Sequence, residues 1–460
     1  MTFPQLSVSL PYWQNRNPLD ALQVAETADK LAYHRLWIGE MATFDAFALA
    51  TAIGQSPGRI PLCLGPLPIS VRSPATIAMG AATVAALTGR PVDVALGTSS
   101  TVVVRDWHGR RRHRTARHLD ESTRIVRALL AGEKVEYDGL IERVRGFRLR
   151  LPALRSTLAH EVLGPNGNAV AGWASVGSRT GRGDSDDPTQ SVPEIAPPAR
   201  QDPATGSGGE DGVVGGEVAV AAFGPKALEV AARCADRVVL NLVTPEQTAR
   251  CVAAVREFAS RAGRPAPPVS VWVTAGVDPD ADMLTTVRHG VVGYLRAPGY
   301  DAMFTEAGFD EVVRLAHSGA HPREVLASIP DELPAAVGMF GDAATLAARV
   351  RAYSDAGADE VVIVPATAAD DPAGQRTLEA LAEIRGEARA FSTGAQSAAA
   401  GELARTGGNT WSGDQARASG SRAPGGDRTR SGDSTPGGER ARTNGEFRGG
   451  GGVGAGDGTG

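Results

Sequence analysis

The sequence predicts an α/β fold, a (β/α)8 TIM barrel, and three observations carry that expectation. Eight short apolar, β-branched runs alternate with stretches whose apolar residues recur at helical spacing. Four strand-to-helix junctions, at Pro18, Pro74, Pro225 and Pro245, place a capping residue or Gly before a proline, the residue that suits a first helical position. Finally, Glu217–Thr244 packs a strand, a Gly-Pro turn, a helix and a second strand into one βαβ unit, which makes the sheet parallel there. A doubly wound open sheet is the rival. It favours a Gly-rich loop after its first strand, and SLPYWQNRNP has none.

Leu6–Leu10 is the first predicted strand. Asn17, Pro18 and Asp20 open a helix that keeps Leu22, Ala25, Ala28 and Leu31 inward. Arg35–Gly39 is the second strand, with Glu40 at its end, and Asp45–Ile53 a helix. Pro61–Ile69 is the third strand; Gly65-Pro66 and Pro68 argue for a bulge or kink at its end. Ser73-Pro74 starts an Ala-rich helix that stops near Gly89. Pro91–Leu96 is the fourth strand, closed by Gly97, Thr98, Ser99 and Ser100. A loop with Trp107, His108 and a run of arginines leads into a helix ending near Ala131, and Val135–Leu151 reads as a hairpin. Strands five and six are Val218–Ala222 and Val238–Leu242. Thr244 caps the next helix, Val269–Ala275 is strand seven, and 280–330 is an irregular helical excursion. Asp342 opens a helix stopped by Gly357, Val361–Val364 is strand eight, and a last helix runs to about Ala390.

Two segments look unable to bury apolar surface: an insertion at 156–216 and a tail at 392–460, both rich in Gly, Ser, Asp and Arg and both expected to be disordered. The barrel domain therefore spans 1–391 around the insertion, with roughly 330 residues outside the two segments, a size suited to one α/β barrel. The net charge of −5 and the lack of a dominant basic patch argue against nucleic acid as a partner. Cys63, Cys234 and Cys251 are too few and scattered for a disulfide framework and suit a reducing cytoplasm. The N-terminal stretch lacks signal-peptide features, and no window is long enough for a membrane span.

In such a barrel the site lies at the C-terminal ends of the strands. Those ends carry Tyr12, Trp13, Glu40, Met41, Gly65, Pro66, Gly97 to Ser100, Phe223, Gly224, Asn241, Ala275 and Pro365. No metal-spaced His/Asp/Glu cluster and no Gly-x-Ser-x-Gly elbow stands among them. Aromatic, small and hydroxyl-bearing residues remain, suited to a flat conjugated cofactor held largely by main chain. At Phe223-Gly224-Pro225, Gly224 lets the main chain approach a ligand, and the free N–H groups of the following helix face a phosphate; a plain connection without a ligand is the alternative. Glu40 reads either as a site carboxylate or as half of a structural ion pair. His108 reads as a proton donor or a solvated loop histidine, and Trp13 as a stacking partner or a plug at the barrel mouth. Arg110 to Arg114 would meet an acidic cofactor tail, or form a solvated helix entry.

The segments LWIGE, RSPATIAMGAATVAALTGRPVDVALGTSS, LAGEKVEYDGL with RVRGFRL, AAFGPKALEVAARCADRVVLNL and AARVRAYSDAGADEVVIVP occur in that order. Together they resemble the bacterial luciferase-like superfamily, specifically its deazaflavin (coenzyme F-420)-dependent oxidoreductases, over 5–155 and 217–390. The resemblance implies a (β/α)8 barrel, a dimer, and a flavin or deazaflavin at the barrel top. It also implies that the bulge at Gly65, Pro66 and Leu67 lies against the ring, flanked by Gly97, Thr98 and Ser99. The turn at Phe223, Gly224 and Pro225 would hold the cofactor phosphate, with Lys226 as counter-charge. Relatives that oxidise sugar phosphates have an acid–histidine pair where this chain has Glu40-Met41, so that substrate does not carry over. The expected activity is hydride transfer between coenzyme F-420 and a small organic substrate, with Glu40 or His108 handling the proton. An FMN-dependent monooxygenase fed by a partner flavin reductase is the alternative. A catalytically silent cofactor-binding barrel is the rival from another class.

Overall fold

Local chemistry starts the helices. The side chains of Asn17, Asp45, Ser73, Thr244, Asp280 and Asp342 each accept a backbone N–H from the first turn that follows, each cap contributing about 1 kcal/mol. Thr244 goes further, exchanging hydrogen bonds with Gln247 as a capping box. The computed structural model describes residues 3–11, 17–40, 44–150 and 215–388. Trp13, Met41, nearly all of the insertion and the whole tail lie outside these residues.

The strands are β1 (Gln5–Ser9), β2 (Leu36–Ile38), β3 (Leu62–Pro68), β4 (Val92–Gly97), β5 (Lys134–Asp138), β6 (Arg143–Arg148), β7 (Val218–Ala221), β8 (Arg237–Asn241), β9 (Val269–Val277), β10 (Gly338–Gly341) and β11 (Glu360–Pro365). Eight of them close a parallel cylinder in the order β11-β1-β2-β3-β4-β7-β8-β9, with β9 returning to β11. The open-sheet alternative is thereby excluded. The helices α1 (Pro18–Lys30), α2 (Ala46–Gln55), α3 (Pro74–Thr88), α4 (Thr115–Leu130), α5 (Pro225–Cys234) and α6 (Pro245–Arg261) follow their strands around the outside. The expected excursion is α7 (Ala281–Val292), α8 (Tyr300–Glu306), α9 (Asp310–His317), α10 (Pro322–Ala327) and α11 (Glu332–Val337). It ends in β10, a strand the sequence did not announce, which pairs with the upper end of β9. Then come α12 (Ala343–Asp355), β11 and α13 (375–388). The α13 residue Arg385 donates to the Ala32 and Leu31 carbonyls at the end of α1, so the last helix locks onto the first.

Both faces of each barrel strand are buried, as a parallel sheet requires. Leu36, Ile38, Leu62, Leu64, Val94 and Leu96 face the helices, while Trp37, Cys63, Ala95, Ala219, Val239 and Val362 pack with Trp272 inside the cylinder. Below that layer, at the N-terminal strand ends, lies an ionic floor. Arg35 reaches Asp93 at 2.9 Å and Glu217 at 3.1 Å; Arg237 reaches Glu217 at 3.0 Å and Glu360 at 3.3 Å. Glu360 is fully buried and also accepts from Ser7, Ser270 and Trp37. Burial lifts Asp93 above the usual carboxylate range. Burial would do the same to Glu217, but the Arg237 and Arg35 guanidinia outweigh it and hold Glu217 below that range.

The antiparallel β5–β6 hairpin is fastened to α4 chiefly through Glu121. Glu121 accepts the backbone N–H groups of Leu140, Ile141 and Glu142 at 3.0, 2.9 and 2.8 Å, and pairs with Arg117 at 2.6 Å. Burial would raise its pKa, but these four donors pull it down to about 2. A depressed carboxylate stabilises the fold above its unfolded pKa, and that contribution disappears as pH falls through the folded value. Melting curves of the wild type should therefore lose more between pH 4.5 and 2 than those of Glu121→Gln, which should itself cost about 2–3 kcal/mol near neutrality. Parallel pH dependences of the two proteins would refute this role.

Candidate active site at the C-terminal strand ends

The third strand ends as its prolines foretell. The Gly65-Pro66 peptide is cis, and the register with β4 slips between Leu64 and Leu67, the mark of a bulge. Gly65 has φ +124°, and a Cβ there would fall 2.2 Å from the Ala95 carbonyl oxygen, so only glycine suits the position. Pro66 then meets Gly97: a Cβ on Gly97 would lie 3.1 Å from that of Pro66 and 3.8 Å from that of Ala221. The ends of β3, β4 and β7 thus converge on a surface made of main chain and small side chains.

Beyond Gly97, Thr98 and Ser99 are held by Arg112, which donates to the Ser99 carbonyl at 3.0 Å and the Thr98 hydroxyl at 3.3 Å. Ser99 has φ +55°. The loop then forms a π-helical turn, Val102–Trp107, which the sequence did not signal. Such turns often accompany functional sites. Trp107 is 51% exposed, and His108 and Arg110, Arg111 and Arg114 are also exposed.

At the end of β7, Gly224 is the N-cap of α5 and has no side chain to cap it, and Pro225 takes the first helical position. A Cβ on Gly224 would meet nothing within 4 Å, and Pro225 and Lys226 are exposed. The corner is open: Pro225 has no N–H, Ala227 donates to the Gly224 carbonyl at 3.0 Å, and the Lys226 N–H is the first-turn donor without a partner among the described residues. Phe223 forms one wall, tilted against Tyr300 at 4.4 Å between ring centroids, and Tyr300 meets Tyr294 edge-on at 4.8 Å. Asn241 at the top of β8 donates to the Tyr300 hydroxyl at 3.0 Å, and burial pushes both tyrosine hydroxyls above their usual range.

Glu40 sits at the end of β2 in an ion pair. Arg72, four residues past β3, grips both Glu40 oxygens through Nε at 2.9 and 2.8 Å, bonds Asp45 as well, and lies over the Phe47 ring at 4.8 Å. The sequence left Glu40 open between a reacting carboxylate and an ion-pair member, and the geometry supplies the ion pair. It brings Gly65, Pro66 and Gly97 together and joins Thr98 to Ser99 through Arg112, while His108 stands apart on the exposed rim. Tyr300, Tyr294 and Arg72 escaped sequence reasoning, because each reaches the site from an element distant in the chain.

Among the described residues no cluster of three His, Cys, Asp or Glu side chains could hold a metal ion. A cavity of about 380 Å³ lies elsewhere, lined by Thr244, Glu246, Gln247, Arg250, Glu306 and Arg349. Its ionic groups are already committed, Arg250 to Glu306 and Arg349 to main-chain carbonyls, so it lacks the free donors of the strand-end site.

A model of one family, described as luciferase-like monooxygenase, matches residues 5–160 and 183–360. The chain belongs to the luciferase-like monooxygenase family. This luciferase-like barrel is 28% identical over 129 residues to a Mycobacterium tuberculosis protein provisionally named a coenzyme F420-dependent oxidoreductase. That match covers 28% of this chain and 37% of the relative. Among solved structures, it resembles the coenzyme F420-dependent tetrahydromethanopterin reductase from Methanopyrus kandleri, with TM-score 0.60 and 16% identity, over 83% of this chain and 98% of the other. An F420-dependent secondary alcohol dehydrogenase in complex with an F420-acetone adduct gives TM-score 0.58 at 16% identity, over 84% and 98%. The oxygenating constituent of 3,6-diketocamphane monooxygenase of Pseudomonas putida, in complex with FMN, gives 0.52 at 16%, over 83% and 97%. At these identities the likenesses establish the barrel.

Proposed function

We propose that this luciferase-like barrel is an oxidoreductase moving a hydride between coenzyme F420, a deazaflavin, and a small organic substrate. The observation that carries the reading is the open turn at Gly224-Pro225-Lys226. It presents the free Lys226 N–H and the lysine side chain at the end of β7, whose Ala221 lies by Gly97 and through it near Pro66 of the β3 bulge, which fits a planar ring with a phosphate-bearing side arm. When bound, the deazaflavin supplies a ring carbon that accepts or donates a hydride. The chain's share is placement and exclusion of water. Main chain at Gly65 to Leu67 and at Gly97 forms the floor, Thr98 and Ser99 flank it, and Phe223 with Tyr300 forms a wall. Trp13 follows β1 in the chain and is assigned to the same cofactor region. Glu40 is committed to Arg72, and His108, on the exposed rim, is the group we assign to the proton, since its imidazole has no partner among the described residues.

Deazaflavin is preferred over FMN because of the rim. Arg110, Arg111 and Arg114 are exposed and have no acidic partner among the described residues, an arrangement suited to an acidic tail. Fluorescence titration with F420 and with FMN, followed by turnover tests on aldehydes, enones and alcohols, decides the matter. F420 should bind and be turned over; tight FMN binding without F420 binding would replace this reading by the reductase-fed monooxygenase. F420 binding without any turnover would leave a silent binding barrel. The double variant Arg110→Glu/Arg111→Glu should weaken F420 about tenfold, less so at high salt, yet leave a tail-less deazaflavin unaffected.

A homodimer is part of the proposal. Neither α2 nor α3 contains a charged residue, and Met79 and Leu87 stand 45% and 53% exposed on α3. The two helices approach closely, Gly80 against Phe47 and Gly54 against Thr88. Sedimentation should show a dimer that Met79→Glu/Leu87→Glu converts to a folded monomer; an unchanged mass would remove this face from consideration. No helix among the described residues is long and apolar enough to cross a membrane. Cys63, Cys234 and Cys251 are free thiols, which agrees with a cytoplasmic site of action.

A further inference from the structure

We propose that Ser70, just past the C-terminal end of β3 and facing α4, is a base-activated hydroxyl, a nucleophile toward activated carboxylic esters. Ser70 follows β3 by two residues and is half-buried, within reach of a small electrophile. Its Oγ lies 3.5 Å from Nδ1 of His118 on α4, and Nε2 of the same ring lies 2.7 Å from Oε1 of Glu142. Ser122 donates to that oxygen at 3.3 Å and so fixes the carboxylate. The pairing decides the tautomer. A carboxylate can only accept here, so Nε2 carries a proton, and in the neutral imidazole Nδ1 has its lone pair toward Ser70. A hydroxyl, a base beside it and a carboxylate orienting the base are the parts that make a serine nucleophilic. The 3.5 Å approach is loose, as such contacts commonly are without a substrate.

The contacts of Glu142 with His118 and Ser122 also tie the hairpin turn to α4, alongside the three backbone hydrogen bonds to Glu121; neither tether calls for a hydroxyl beside Nδ1 of His118, and Ser70 supplies one. No side chain caps the start of α4, so first-turn N–H groups of the helix that carries His118 remain available to an oxygen gaining charge. In the step, Ser70 Oγ bonds the ester carbonyl carbon and gives its proton to His118 Nδ1. The carbon–oxygen bond to the alcohol then breaks, and the alcohol leaves with that proton. Water, deprotonated by His118, releases the acid and restores Ser70.

The test uses the full chain with a fluorophosphonate probe and with p-nitrophenyl acetate, read by intact mass, peptide mapping and nitrophenolate release. One adduct per chain should form, on Ser70. Ser70→Ala should abolish it, and His118→Asn should slow it about 100-fold with the melting temperature kept. No adduct, an adduct on another residue, or labelling indifferent to His118→Asn would overturn the proposal. None of these readouts involves a deazaflavin, so their failure is separate from failure of the hydride-transfer reading.

Discussion

Glu360→Ala should lower the folding stability by about 3–5 kcal/mol, read from the midpoint and slope of urea unfolding. Four donors share this fully buried carboxylate: the Ser7 and Ser270 hydroxyls, the Trp37 indole and the Arg237 guanidinium. Arg237 retains Glu217 when Glu360 is removed, so no lone charge is stranded. The cost comes from the other donors, left buried with no acceptor at about 1–3 kcal/mol apiece before relaxation, and from the cavity. Glu360→Gln keeps an acceptor oxygen and should lose less. A loss below about 1 kcal/mol for the alanine variant would mean that water or a shifted Arg35 replaces the carboxylate.

Gly224→Asp should separate stability from binding. The site has φ −77° and open space around a new Cβ, so the backbone accepts the change. Aspartate is a good N-cap and adds negative charge at the positive end of α5, which stabilises the fold by a few tenths to 1 kcal/mol. The same carboxylate would accept from the Lys226 N–H assigned to the cofactor phosphate and repel the phosphate. F420 affinity should fall at least about 100-fold while the melting temperature holds or rises. Undiminished affinity would place the phosphate elsewhere, and with it would go the observation on which the proposed function rests.

The cylinder was legible because its determinants are local. Caps at Asn17, Ser73, Thr244 and Asp342 act within three residues, and apolar β-branched runs mark strands buried on both faces. The bulge at Gly65-Pro66 was legible for the same reason. The ionic floor was not, since Ser7 meets Glu360 across 353 positions and Arg35 meets Glu217 across 182. A signal for it does exist: Arg35, Glu217, Arg237 and Glu360 each stand at or just before the start of an apolar strand. One charged residue at the foot of several barrel strands points to a shared interior layer. The candidate site was half legible. Main-chain features followed from Gly and Pro, whereas the Glu40–Arg72 clasp and the Tyr300 wall come from side chains brought together only by closure of the barrel.

The excursion between β9 and α12 leaves and re-enters at nearly one point. Asp278 donates its N–H to the Gly341 carbonyl at 2.8 Å, and Gly341 sits level with Val277 in the pairing of β10 with β9. Between those two residues the chain builds its own small core around Leu295, Phe304 and Leu333. A lobe mounted on two adjoining posts imposes no demand on ring closure, since a longer or shorter one spans the same gap at little entropic difference. Swapping that lobe for one of another shape would remodel the wall beside Asn241 and leave the cylinder untouched, an economical route to new substrate preference on an old frame.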